Sequence, residues 1–160
     1  MKEFATADLL DQFPDSTVLL PGLNAFGGLK SFFGRAETVV APEDNSFVRE
    51  TLEKPGEKRV LVVDGNGSSH CALLGDQLAQ LALDNGWVGV VVYGYIRDSQ
   101  VIADIPIGVR ALGTTPRRSI KKGQGSIGDT VHFLGATITS NSWIFVDSDG
   151  VVVTSSNLLL

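Results

Sequence analysis

The stretch Gly75–Asp98 reads GDQLAQLALDNGWVGVVVYGYIRD, and it decides the fold. Leu74, Leu78, Leu81 and Ala82 recur at helical spacing, so a helix is expected over Ala72–Leu83. Asn85-Gly86 ends it, with glycine suited to the left-handed residue beyond a helix. Val88–Tyr93 (VGVVVY) then reads as a buried strand. Upstream, Arg59–Asp64 (RVLVVD) is another apolar, β-branched run, broken by Gly65-Asn66-Gly67-Ser68-Ser69. The whole is a strand–helix–strand unit, and such crossovers are right-handed in nearly all cases. In open α/β sheets, ligands bind beyond the carboxyl ends of the strands.

That topology gathers charged residues. Twenty residues separate Asp76 from the pair Arg97-Asp98. A helix and a returning strand bring both ends of this segment to one sheet edge. Gly75, Asp76, Gln77 and Leu78 fall at the helix start, where backbone N–H groups lack intrahelical partners and favour anions. Arg97 can clamp a carboxylate in a two-pronged fork. Asp98 can ligate a hard cation, and Asp76 can do so directly or through water. Together they describe a recessed site for a divalent metal and a 2-oxo acid such as pyruvate. Against this stands a plainer reading: an acid in a first helical turn is commonly a dipole partner, and Arg-Asp after a strand a solvated turn.

The arrangement Asp76, twenty residues, Arg97-Asp98 resembles the signature of the class II 4-hydroxy-4-methyl-2-oxoglutarate/4-carboxy-4-hydroxy-2-oxoadipate aldolases. TADLLDQF (6–13), RVLVVDGNG, NGWVGVVVYGYIRD, LGTTPRRS (112–119) and WIFVDSDGVVV (143–153) resemble segments of that family in order. Length and segments are similar to the RraA-like branch, the regulators of ribonuclease E activity. The resemblance implies an α/β fold of the swivelling β/β/α kind, a mixed β core flanked by helices, as one domain over residues 1–160. It implies a ring-shaped homotrimer with sites in clefts between subunits. It assigns pyruvate to the Gly75–Leu78 amides and to Arg97, the metal (Mg²⁺ or Mn²⁺) to Asp98, and metal-bound water to Asp76. The implied reactions are cleavage of 4-hydroxy-4-methyl-2-oxoglutarate and decarboxylation of oxaloacetate, both through a pyruvate enolate. The alternative it implies is a protein that binds and inhibits ribonuclease E without catalysis. The longer aldolases carry a C-terminal extension that lends an acid to a neighbouring site. The sequence here runs only to Leu160, which implies weaker cleavage of bulky aldols. An older label for the family, a menaquinone methyltransferase, finds no glycine-rich SAM-binding loop of the usual kind.

Composition sets bounds. The chain has 160 residues, enough for a proper core, with 43% hydrophobic and 19% charged residues. A net charge of −5 and a pI near 4.9 argue against direct nucleic-acid binding. The one basic run, Arg117, Arg118, Lys121 and Lys122, reads as a solvated or ring-facing loop rather than an RNA site. No apolar stretch spans a bilayer and no signal-peptide core opens the chain, so a cytoplasmic location is expected. The single Cys71 suits that compartment and lacks the partners of a nucleophile, His70 beside it notwithstanding. Gly65–His70 lacks the third glycine of a dinucleotide fingerprint, and it is expected to wall the pocket.

Elsewhere Thr6–Phe13 reads as a helix capped by Thr6, and Asn24–Gly34 as an aromatic, glycine-rich loop against something apolar. A strand over 35–41, a helix over 44–52, a helical turn at 101–104 and a strand over 108–112 follow. Strands at 130–133, 136–138, 143–146 and 151–154 close the chain, the last two joined by an Asp147–Gly150 hairpin turn rather than a calcium loop.

Overall fold

The computed structural model describes residues 2–160. In chain order the elements are α1 (Thr6–Gln12), β1 (Thr17–Val18), β2 (Asn24–Ala25), β3 (Phe32–Val40), α2 (Ser46–Leu52), β4 (Val60–Asp64), β5 (Ala72–Leu74), α3 (Asp76–Asp84), β6 (Gly89–Ile96), α4 (Ser99–Ile102), β7 (Gly108–Thr114), β8 (Ser126–Ile127), β9 (Val131–Phe133), β10 (Ala136–Ile138), β11 (Trp143–Asp147) and β12 (Gly150–Thr154).

One sheet runs β1-β12-β11-β3-β4-β6-β7-β2, with β5 added on β6 and β8 on β3. Its centre, β3-β4-β6-β7, is parallel, and β11, β12 and β1 continue it antiparallel. The nine residues of β3 serve both halves. Phe32–Arg35 pair with β11, and Ala36–Val40 pair with β4. The expected strand–helix–strand unit is present: β4 and β6 pair in parallel from Val60↔Gly89 to Asp64↔Tyr93, with α3 between them in sequence.

The apolar runs explain why the centre is covered on both faces. In β4, Leu61 and Val63 join Leu78, Ala79, Ala82 and Trp87 in one core. Val60 and Val62 face a second core with Phe32, Val131, Phe133, Ile144 and Val146. Alternation along a strand sends successive side chains to opposite faces, and both sets are buried. Full burial of one such side chain contributes roughly 1.5–3 kcal/mol. Phe32 crosses the paired glycines Gly89 and Gly108, where an added Cβ would lie 2.3 and 2.1 Å from its ring carbons.

Several expectations are corrected. The helix expected from Ala72 begins at Asp76, because Ala72–Leu74 pair with β6 as β5. Thr6 is the first helical residue and not a cap; its N–H and hydroxyl donate to the Asp147 carboxylate at 2.7 Å each. Asn24–Gly34 is not one loop. It holds β2 and the start of β3, and Gly28 N–H donates to Ile105 O at 2.8 Å. Its apolar groups therefore pack within the chain. The Asp147–Gly150 turn joins β11 to β12 as expected.

Candidate active site

Two local features bring the predicted residues together. β5 lies parallel to β6, with Leu74 opposite Ile96, and Arg97 N–H donates to Leu74 O at 2.9 Å. Gly75 therefore emerges beside Arg97. The chain then turns sharply at Asp98, whose φ of 60° and ψ of 38° are left-handed. Aspartate is among the few non-glycine residues that adopt this conformation readily, and such backbone concentrates at functional sites.

The turn aims the Asp98 carboxylate at the start of α3. Its Oδ2 accepts the Asp76 N–H at 3.1 Å, so one acid occupies an orphan helix donor. Gly75 leaves the room: a Cβ there would sit 2.8 Å from Asp98 Oδ2 and 3.5 Å from Arg97 Nε. Gly75 is extended, at φ −126°, so space and not backbone freedom selects glycine. Arg97 Nε stands 4.0 Å from Asp98 Oδ2, a loose pair with both side chains well exposed. The Asp76 Oδ1 accepts Gln77 N–H at 2.9 Å, the local contact that the plainer reading foresees.

Gly75, Asp76, Arg97 and Asp98 thus meet, and Gln77 and Leu78 follow on the first turn of α3. The edge is open, not recessed. Asp76 and Gln77 line a cavity of about 470 Å³, but its other walls are residues such as Arg49, Gln80, Val101 and Ile105, without Arg97 or Asp98. Two carboxylates against one guanidinium leave negative charge in excess. Among the described residues no three or more His, Cys, Asp or Glu side chains gather as a metal cage.

The neighbouring motifs lie elsewhere. Gly65–His70 folds over Tyr93, with Gly67 N–H donating to Tyr93 O at 3.1 Å, and leads into a strand, not into the helix a dinucleotide site needs. His70 is exposed and pairs with Glu43 at 2.8 Å. Cys71 is buried, and burial with the charges of Glu43 and Asp44 pushes its thiol up, away from reactivity. The contribution that sequence reasoning missed is β5. Its signal was the apolar run Ala72–Leu74 stopping at Gly75, masked by the helical spacing of Leu74 and Leu78.

A family profile described as RraA-like, Aldolase/RraA, matches residues 6–153. The chain belongs to the RraA-like family. Among curated relatives, a protein of Laribacter hongkongensis (strain HLHK9) named "Putative 4-hydroxy-4-methyl-2-oxoglutarate aldolase" is 52% identical, covering 98% of this chain and 99% of its own. One of the same name from Pseudomonas putida (strain W619) is 44% identical over 99% of this chain and 98% of its own. Among solved structures, the RNA-processing inhibitor RraA from Thermus thermophilis superposes with a TM-score of 0.94 at 40% identity, covering 97% of this chain and 94% of that one. A Geobacillus kaustophilus HTA426 protein described as S-adenosylmethionine: 2-dimethylmenaquinone methyltransferase gives 0.94 at 46% identity, covering 98% of each. The α/β fold of this RraA-like chain, with its curled mixed sheet and few helices, is the one the sequence led us to expect. No helix among the described residues is long and apolar enough to cross a membrane.

Proposed function

We propose that this RraA-like protein is a divalent-metal-dependent carbon–carbon lyase for small 2-oxo acids. It would cleave 4-hydroxy-4-methyl-2-oxoglutarate and decarboxylate oxaloacetate, releasing pyruvate from each. The observation that carries the reading is the Asp98 carboxylate held at the start of α3 beside Arg97.

The donor chemistry fits a hard cation. An anionic substrate docking on an edge with surplus negative charge needs a positive counterpart. One or two carboxylates, completed by water and substrate oxygens, are an ordinary Mg²⁺ donor set. Asp98, with Asp76 through water, would hold Mg²⁺ or Mn²⁺. When bound, such an ion supplies positive charge to the substrate oxygen on which charge develops.

The chain's own groups do the rest. Arg97 would grip the 2-oxo acid carboxylate, its fork still open because the contact with Asp98 is loose. The amides of Gly75–Leu78 would share that carboxylate, and the Asp76 N–H becomes available only as Asp98 releases it. Binding of cation and substrate are therefore coupled through one hydrogen bond. The bond between the carbon next to the keto carbon and the departing fragment breaks. Its electron pair moves toward the keto oxygen, where Arg97 adds stabilising charge. The fragment leaves as CO₂ from oxaloacetate or, with its hydroxyl proton passed to water, as a second pyruvate. A proton from water at the carbon that lost the bond completes pyruvate. Walls absent from the open edge would come from neighbouring subunits of a homotrimer.

A second reading is supported by the likeness to the RNA-processing inhibitor RraA: the chain binds ribonuclease E through a protein surface and masks it. The double variant Asp76→Ala/Asp98→Ala separates the two. We expect it to lose pyruvate release from both substrates and to keep any ribonuclease E binding. A wild type inert with every divalent metal, yet inhibiting ribonuclease E, overturns the lyase reading.

A further inference from the structure

Arg110 is the buried arginine of the chain, 4% exposed, in the middle of β7 opposite Val91 and Ala25. A guanidinium carries five N–H donors. Three hydrogen bonds engage it, to Val109 O at 3.3 Å, Lys30 O at 2.6 Å and Asp147 O at 3.5 Å. All three acceptors are neutral carbonyls. The ring of Phe32 lies 5.6 Å away. No carboxylate among the described residues comes within ion-pair reach of it. The nearby Asp147 carboxylate accepts from Thr6 and from Asp149 N–H instead. Loss of hydration accordingly depresses the guanidinium pKa, opposed by the Asp147 charge. A buried cation without a paired anion is costly, and up to two donors here remain for a further acceptor.

Arg110 borders a cavity of about 630 Å³ that Leu19, Leu20, Leu23 and Val151 also line. Leu20 is 60% exposed and Val18 47%, although both border this cavity. Its lining combines charged and apolar side chains. Asp147 and Asp149 also border it, and their carboxylates disfavour a dianion such as phosphate more than a monoanion, while Lys30 adds a second cation to the lining. Arg97 lies six residues beyond Val91 along β6, roughly 20 Å at the rise of a strand, so this cavity is separate from the candidate active site.

We infer that the cavity binds a short aliphatic monocarboxylate, its carboxylate forked on Arg110 and its chain against Leu19, Leu20, Leu23 and Val151. Such a ligand gives Arg110 a carboxylate in direct contact and covers the exposed leucine. It also ties the segment between β1 and β2 to β12 and β7.

The test is methyl NMR on the full chain titrated with butyrate, butyramide and inorganic phosphate. Butyrate should give saturable shifts at Leu19, Leu20, Leu23 and Val151, with butyramide and phosphate at least about tenfold weaker. Arg110→Gln should weaken butyrate by a similar factor. That change also strips three carbonyls of their donor, so Leu20→Glu is the companion variant. It alters an exposed side chain, sets a carboxylate at the mouth, and should abolish butyrate binding while leaving melting temperature and pyruvate release unchanged. Absence of saturable shifts in the wild type, equal affinity for butyramide or phosphate, or undiminished binding by folded Leu20→Glu overturns the inference. None of these outcomes bears on the lyase reading, whose site lies at the other edge.

Discussion

At the scale of single residues, the candidate site depends on one left-handed aspartate and one glycine without a side chain. Asp98 reaches the start of α3 because its backbone turns back, and it fits there because Gly75 carries no Cβ. Arg97 is the residue whose chemistry is most easily isolated. Lysine keeps the charge and loses the fork. If Arg97 grips the substrate carboxylate, Arg97→Lys lowers kcat/KM about tenfold or more, at least about 1.4 kcal/mol; steady-state kinetics with wild-type values would remove the clamp. Asp44 shows a carboxylate with a structural task. It is 1% exposed and accepts from Ser46 N–H at 2.9 Å, Ser46 hydroxyl at 2.5 Å, Lys122 N–H at 2.6 Å and Gln124 N–H at 3.1 Å. Burial pushes its pKa up, but the Ser46 hydroxyl and the N–H groups of Gln124, Ser46 and Lys122 outweigh that and hold it at about 2, below the ordinary 3.8. A depressed carboxylate stabilises the fold above its unfolded pKa and loses that contribution as pH falls toward the folded value. Asp44→Ala should cost about 1–3 kcal/mol at neutral pH. In denaturant titrations, the gap between variant and wild type should close as pH falls from 3.8 to about 2. A gap constant over that window contradicts the assignment.

At the scale of elements, the buried strands were legible because a strand covered on both faces is written as an unbroken apolar run. Arg59–Asp64 and Val88–Tyr93 are such runs, and they became β4 and the first part of β6. The short β5 was not legible. Three apolar residues have no period of their own, and Leu74 happened to stand four before Leu78, which made it look helical. Only the pairing with β6, a contact across some twenty residues of chain, decides it. The start of β3 was hidden for a similar reason: Phe32 and Phe33 looked like aromatic loop residues because their partner strand β11 lies far downstream. Phe32 also explains two glycines that sequence could not. Gly89 and Gly108 face each other across β6 and β7 and form the slot that its ring fills. Gly89→Ala places a methyl 2.3 Å from that fully buried ring. Overpacking of this kind costs about 1–3 kcal/mol. Urea denaturation should show that loss, and undiminished stability would mean that the ring can move aside.

At the scale of the whole molecule, the sheet edge that holds Asp76, Arg97 and Asp98 follows from the order of strands, and that much could be read from one segment of sequence. The openness of the edge could not, because depth depends on what lies beside it. In a single chain Arg97 and Asp98 are well exposed, and the cavity beside Asp76 leaves them out. A lyase that must exclude water needs further walls, which is the physical case for the trimer that the family resemblance implies. Multi-angle light scattering at micromolar concentration should give three times the 17.0 kDa chain mass. A monomer mass would rule out sites shared between subunits. The central claim is chemical, and one assay reaches it: pyruvate release from oxaloacetate by wild type and Asp98→Ala, with Mg²⁺, with Mn²⁺ and with EDTA. We predict turnover by wild type with either metal, its loss in EDTA with recovery on adding excess metal, and none above the metal-only blank from folded Asp98→Ala. Turnover that survives EDTA, or that Asp98→Ala retains in full, would contradict the account.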